Sequence, residues 1–342
     1  MILIKNKVTR VRNIVQLGWF IIFANGLLFG FPVFGTHPML RYIFIPNLTT
    51  KYLINSPTHC YFFELQSAIQ TGFAQYYLNL IIPLLVIFIL LLLLARFWCG
   101  WLCPFGFIQD LMMYLRQLFR LPYSELDYSI IRILDKAKFA ILFIVILLVF
   151  MVSLPNYGLS YFKAELHEPF EQFCPARPLF VYFQQLIGWE PWSTGVPTLG
   201  VIVLGFFFIS AFFIRKFYCR ICPVGAINSF FNKYSLLTLQ KDGDKCTKCR
   251  ICLRACPMDI EEIYEEKNKT NISSKECIHC YRCVELCPED DCLSVAFLDK
   301  KILRSKHPVN KTVFKLLRKK SSQDLRNYPN PTESKGIGGL KP

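Results

Sequence analysis

Twelve of the fifteen cysteines sit at spacings that suit metal or redox chemistry. Residues 246–257 read Cys246-Thr-Lys-Cys249-Arg-Ile-Cys252-Leu-Arg-Ala-Cys256-Pro, and residues 277–288 read Cys277-Ile-His-Cys280-Tyr-Arg-Cys283-Val-Glu-Leu-Cys287-Pro. Both have the form C-x2-C-x2-C-x3-C-P, which wraps three thiolates around a cubane and sends the fourth to its neighbour. The spacing therefore assigns Cys246, Cys249, Cys252 and Cys287 to one [4Fe–4S] cluster, and Cys277, Cys280, Cys283 and Cys256 to a second. Each fourth cysteine is expected at the start of a short helix. Four-cysteine zinc sites also use C-x2-C pairs, but eight cysteines with both prolines point to iron. With that set complete, His279 is expected as an exposed side chain, and Cys292 as a small buried hydrophobe.

A second group lies upstream, Cys99 and Cys103 before Pro104, then Cys219 and Cys222 before Pro223. A spacing of four on a helical turn puts Cys99 and Cys103 on one face. The two pairs repeat with offsets of 120 and 119 residues. If they pair, four thiols converge and could ligate a third iron–sulfur cluster, hold a soft metal such as copper, or cycle between dithiol and disulfide. The cluster is the favoured reading. The plain alternative is interfacial cysteines followed by helix-breaking prolines. Cys60 and Cys174 recur in the loops before each pair, as a disulfide, as metal ligands or as buried thiols.

Of the 342 residues 53% are hydrophobic, and they gather in runs near 14–34, 78–95, 139–154 and 196–214. Each approaches the ~20 residues that span a bilayer core. The expected fold is an all-α four-helix transmembrane bundle with a pseudo-two-fold repeat, followed by a small α+β bacterial-type 2[4Fe–4S] ferredoxin domain. The domains are expected at 1–235 (membrane), 236–299 (ferredoxin) and 300–342 (basic tail). The first run is too long for a signal peptide and reads as an anchor. Lys and Arg concentrate before the first run and in 96–138, which places both termini and the ferredoxin domain on the cytoplasmic side of a multi-pass inner-membrane protein.

The cysteine count does not fit a secreted disulfide scaffold, a class of short chains. The formal charge of +15 does not fit nucleic-acid binding, because residues 300–342 alone carry twelve Lys or Arg against Asp324 and Glu333, while 241–299 is acidic. That tail suits anionic headgroups, an acidic partner or a solvated end.

Paired cysteine–proline motifs after the second and fourth runs, with a double-cubane ferredoxin behind them, resemble the NapH/NosR type of iron–sulfur protein over roughly residues 10–300. The second motif is one residue shorter than that type's usual C-x3-C-P. The resemblance implies a quinol-dehydrogenase electron-transfer subunit that exchanges electrons with quinone inside a larger respiratory redox complex. It makes Cys99, Cys103, Cys219 and Cys222 the redox-active set beside the eight ferredoxin ligands. His37, His59, His167, Glu64, Glu165, Glu168 and Glu171 are candidates for proton handling on the outer loops. Two rivals stay open, a copper-reducing or metal-handling assembly protein and a membrane-tethered redox sensor.

Overall fold

The computed structural model describes residues 7–25, 88–119, 128–153 and 198–306, and positions 85, 175, 178, 179, 182, 185 and 186 between them. The expectations for Cys60, Cys174, the outer-loop histidines and glutamates, and residues 307–342 lie outside the described residues.

Helix α1 (Lys7–Asn25) comes first. Helical backbone at 88–94 ends where Ala95 takes a left-handed conformation (φ 45°). Short α2 (Phe97–Trp101) follows, then α3 (Pro104–Leu118) and α4 (Tyr128–Ser153). After α5 (Thr198–Phe213) the same local sequence of events recurs: Lys216 is left-handed (φ 49°), α6 (Phe217–Ile221) is short, and α7 (Pro223–Phe231) begins on proline. Proline suits the first helical position, where its missing N–H would have had no partner.

Among the described residues, no helix is long and apolar enough to cross a membrane. This corrects the expected four-helix transmembrane bundle and, with it, the multi-pass inner-membrane placement. The physical reason is local. Helix α5 has 16 residues, about 24 Å at 1.5 Å per residue against a ~30 Å hydrocarbon core. Helix α4 is longer, but Arg132, Asp135, Lys136 and Lys138 charge its N-terminal part. Helix α1 carries Lys7, Arg10 and Arg12. Helices α4 and α5 pack through Leu142, Val145, Leu204 and Phe207 against Phe105 of α3 and Ala226 of α7. Their other faces leave Phe143, Leu147, Ile202 and Phe206 exposed.

The C-terminal part is a three-stranded antiparallel sheet in the order β1 (Leu237–Lys241), β2 (Leu293–Phe297), β3 (Lys300–Arg304). Leu239 pairs with Val295, and a bulge falls between Val295 and Ala296. Strand β1 alternates burial, turning Leu237, Leu239 and Lys241 inward, as a half-covered strand must. Between β1 and β2 the chain makes α8 (Ile251–Ala255), α9 (Glu262–Glu265) and α10 (Arg282–Leu286). Leu239, Ile260, Ile263, Ile272, Val284 and Leu293 form one core with the cysteines. Each such side chain contributes roughly 1.5–3 kcal/mol on burial.

The helical part and the ferredoxin part share buried polar contacts. Asn232, at the end of α7, donates to the carbonyls of Ser274 (2.8 Å) and Cys277 (2.7 Å). Glu285 of α10 accepts from the Val8 and Thr9 amides (2.7 and 3.1 Å) and so caps the N-terminus of α1. Arg220 pairs with Asp259 at 2.8 Å.

Candidate iron–sulfur sites

The two seven-residue C-x2-C-x2-C loops share a backbone pattern. In each, the residues before and after the second cysteine are left-handed: Lys248 (φ 51°) and Arg250 (φ 59°), then His279 (φ 49°) and Tyr281 (φ 58°). Such angles cost non-glycine residues about 1 kcal/mol or more each. They curl the loop so that successive thiols face one side. The third cysteine of each motif then enters a five-residue helix, and the fourth, Cys256 or Cys287, caps that helix's C-terminus in an extended conformation. The fourth cysteine is thus at the end of the short helix, where the sequence reading put it at the start.

The eight thiols divide between two cavities. One, with an empty volume of about 350 Å³, is lined by Cys246, Cys249, Cys252 and Cys287 together with Lys241 and Cys292. The other, of about 320 Å³, is lined by Cys256, Cys277, Cys280 and Cys283 with Met258 and Tyr281. Each takes three thiols from one motif and one from the other. Ile263 lines both and separates them. Among the described residues no three Cys, His, Asp or Glu side chains close on a point small enough for a single metal ion. Soft thiolates spread around a cavity of this size fit an iron–sulfur cluster, so the donor set and the space agree.

Burial pushes the Cys252 thiol up to about 12, with the neighbouring Cys249 thiol adding to it. Burial likewise takes Cys277 to about 12 and raises Cys256 and Cys283 further, helped by the neighbouring thiols. Crowded thiols of this kind ionise when a metal centre takes their charge. Lys241 is buried at the wall of the first cavity, its Nζ donating to the carbonyls of Ile263 (2.8 Å) and Tyr264 (2.9 Å).

Two residues depart from expectation. His279 is 1% exposed rather than solvated. Its Nε2 lies 3.2 Å from Asn232 Oδ1, and burial, with the Arg96 charge, holds its pKa down to about 4. Cys292 is buried, as expected, but it is more than a packing residue. Its thiol lines the first cavity beside those of Cys287 and Cys246, and its proximity draws the Cys287 thiol below the usual range.

The upstream thiols lie close enough to feel one another's charge. The Cys103 thiol is raised by burial first, then by the charges of Cys219, Cys99 and Cys222. Cys99 and Cys103 do not share a helix face: Cys99 is in α2, and Cys103 lies between α2 and α3 with its amide on the Trp98 carbonyl (3.0 Å). The site is built reciprocally. Gln109, six residues beyond Cys103, donates to Cys219 Sγ at 3.4 Å. Asn228, six beyond Cys222, donates to Cys99 Sγ at 3.9 Å. Arg96, three before Cys99, reaches the Cys219 carbonyl at 3.3 Å, and Lys216, three before Cys219, reaches the Gly106 carbonyl at 2.6 Å.

Buried cations outnumber buried anions here. Asp110 is met by Lys216 at 2.9 Å, Arg12 at 3.0 Å and Arg282 at 3.7 Å, all four almost fully buried. These charges hold the Asp110 carboxyl well below its usual range against the effect of burial. An interior excess of cations is costly unless anionic groups answer it. Sequence reasoning missed Gln109, Asn228, Arg96 and Lys216. The repeat that aligned the cysteines aligns these residues too, and following it outward would have found them.

A fold of this kind defines a class: a double-cluster ferredoxin module packed on helices that carry paired cysteine–proline turns. The 4Fe-4S binding domain family matches residues 77–122 and 196–239, and the 4Fe-4S dicluster domain family matches 238–288. An uncharacterized protein of Methanocaldococcus jannaschii is 30% identical over 228 residues, 65% of this chain and 81% of that protein. The regulatory protein NosR of Pseudomonas aeruginosa is 29% identical over 187 residues, 54% of this chain and 22% of NosR. The ferredoxin-type protein NapH of Escherichia coli is 24% identical over 200 residues, 57% of this chain and 60% of NapH. No solved structure matches. The chain belongs to the family of the archaeal protein and is an iron–sulfur electron-transfer protein of the NapH/NosR type.

Proposed function

We propose that the chain relays single electrons between the four-thiol site and a redox partner through two ligand sets. In this reading Cys246, Cys249, Cys252 and Cys287 hold one [4Fe–4S] cluster, and Cys256, Cys277, Cys280 and Cys283 hold the other. A cluster bound in either place supplies a one-electron couple. The observation that carries the reading is the division of eight thiols into two adjacent cavities with one cysteine exchanged between motifs.

The residues of the chain then have definite tasks. Ile263, Met258 and Leu293 exclude water from the thiols, and Lys241 offsets negative charge at the first cavity. Trp101 donates to the His279 carbonyl at 2.9 Å and holds α2 against the second cysteine loop. At Cys99, Cys103, Cys219 and Cys222 a third cluster is the reading favoured over copper, because Gln109 and Asn228 aim N–H groups at two of the sulfurs and Arg96 and Lys216 supply buried positive charge nearby. Exchange of electrons with the quinone/quinol couple and with a second redox subunit is carried over from the NapH/NosR type.

The test is metal content on anaerobically purified protein. About eight irons per chain are expected from two cubanes and about twelve if the four-thiol site holds a third. Cys249→Ala should remove about four irons and leave the second cluster's reduced spectrum. Stoichiometric zinc in place of iron overturns the cluster reading, and eight irons with stoichiometric copper would move the four-thiol site to metal handling.

A further inference from the structure

The first cavity is lined by five thiols, one more than a cubane needs. Cys287 and Cys292 enter it from the two ends of the loop 288–291, whose last residue, Asp291, is left-handed (φ 54°). Cys292 is fixed by its place beside β2, with its carbonyl accepting from the Asp242 amide at 2.8 Å. Its thiol donates to the Asp242 carbonyl at 3.6 Å and lines the same cavity as Cys287 and Cys246. Cys287 in turn has a long contact of 3.8 Å to the Glu289 carbonyl. Among the described residues, only Cys256, Cys277, Cys280 and Cys283 supply thiols to the second cavity, so the two sites are unequal.

We infer that Cys292 is an exchangeable fifth ligand of the first cluster site, able to take the place of Cys287. This rests on the cluster reading given above. The exchange is redox-neutral. The Cys292 S–H proton passes to the Cys287 thiolate, the iron–sulfur bond to Cys287 breaks, and one to Cys292 forms. Both thiols line the one cavity, so the proton need not leave the site. No oxidant or further reactant is required, and the total charge of the site does not change. The consequence is one cluster with two ligand states, set by which end of the 288–291 loop is bound.

The experiment compares iron content and the reduced electron paramagnetic resonance spectrum of the full chain with those of Cys287→Ala, Cys292→Ala, the double variant and Cys249→Ala. Wild type and Cys292→Ala should hold equal iron. Cys287→Ala should keep its iron with an altered spectrum at the first site. The double variant and Cys249→Ala should each lose about four irons. The second cluster's signal, retained throughout, shows that the chain has folded. Loss of about four irons from Cys287→Ala alone overturns the exchange, as does the same loss from Cys292→Ala alone. Wild-type protein without iron overturns the cluster reading itself and this inference with it.

Discussion

Gly100 of α2 lies so close to the second cysteine loop that a Cβ on it would stand 2.1 Å from the Ile278 carbonyl oxygen. The Gly100 carbonyl meanwhile accepts from Gln16 Nε2 of α1 at 2.8 Å. A backbone atom of the cysteine–proline turn therefore rests directly on the cysteine loop of the second cavity. Gly100→Ala should separate these segments and destabilise the protein by about 1–3 kcal/mol, the usual cost of overpacking. Gly18→Ala and Gly205→Ala are the controls, since a Cβ at either meets nothing within 4 Å. They should leave stability unchanged or raise it by up to ~1 kcal/mol. Urea midpoints of the three variants check this, and a neutral Gly100→Ala would show that the contact is not maintained in solution.

Asn232 joins the two parts from the other side. Its Nδ2 meets the carbonyls of Ser274, Lys275 and Cys277, and its Oδ1 meets His279 and the Arg96 amide. Asn232→Ala leaves several buried groups without partners, at about 1–3 kcal/mol each. A loss of at least ~2 kcal/mol in urea unfolding is expected. The His279 pKa, followed by nuclear magnetic resonance, should also move as its partner disappears.

Much of the ferredoxin part was legible because its ligand spacing is a geometric constraint. A loop of C-x2-C-x2-C has few ways to point three thiols inward, so motif and backbone carry the same information. The fourth cysteine's place at the helix end was not legible, since C-x3-C is equally consistent with either end of one helical turn. His279 was misread because its environment comes from Asn232 and Arg96, residues 47 and 183 positions away in sequence. The apolar runs were read by composition alone. Composition does not reveal that Ala95 and Lys216 turn the chain left-handed, or that charged residues occupy the first part of α4. The four-thiol site was half legible: the repeat aligns its cysteines and its donors alike, but not the fact that each donor crosses to a cysteine of the other half.

Lys241 offers an electrochemical prediction. Its buried ammonium lines the first cavity and not the second. A cation beside a redox centre favours the more negative, reduced form. Lys241→Met should therefore lower the midpoint potential of the first site while leaving the second near its wild-type value. The two clusters in one chain act as each other's reference, so a spectroelectrochemical titration reads the difference directly. Equal shifts at both, or a rise at the first, would contradict the assignment of Lys241 to the first site.

Asp135 of α4 gives a prediction in pH. Burial raises its carboxyl to about 6, the Glu276 charge adds to the rise, and Arg220, at 3.8 Å, with Lys138 and Arg96 offsets part of it. The folded chain thus keeps a proton on Asp135 that the unfolded chain releases near its ordinary pKa of 3.8. Where the folded state binds more protons, stability falls as pH rises. The penalty grows from about pH 4 to about pH 6 and is constant above, reaching about 3 kcal/mol at 1.36 kcal/mol per pKa unit. Glu276 works in the opposite direction, because Arg96 and Lys138 hold its carboxyl below the usual range despite burial. With its pKa held below the ordinary 4.5, Glu276 stays ionised from pH 5 to pH 7 in both proteins, so the change across that range reports Asp135. Between pH 5 and pH 7, a range in which the comparison can be made anaerobically, Asp135→Asn should gain about 1 kcal/mol relative to wild type. Urea unfolding of both proteins at the two pH values measures it. A difference that stays flat, or that shrinks as pH rises, would place the Asp135 pKa at or below its ordinary value and remove the buried, proton-holding carboxyl from the description of this interface.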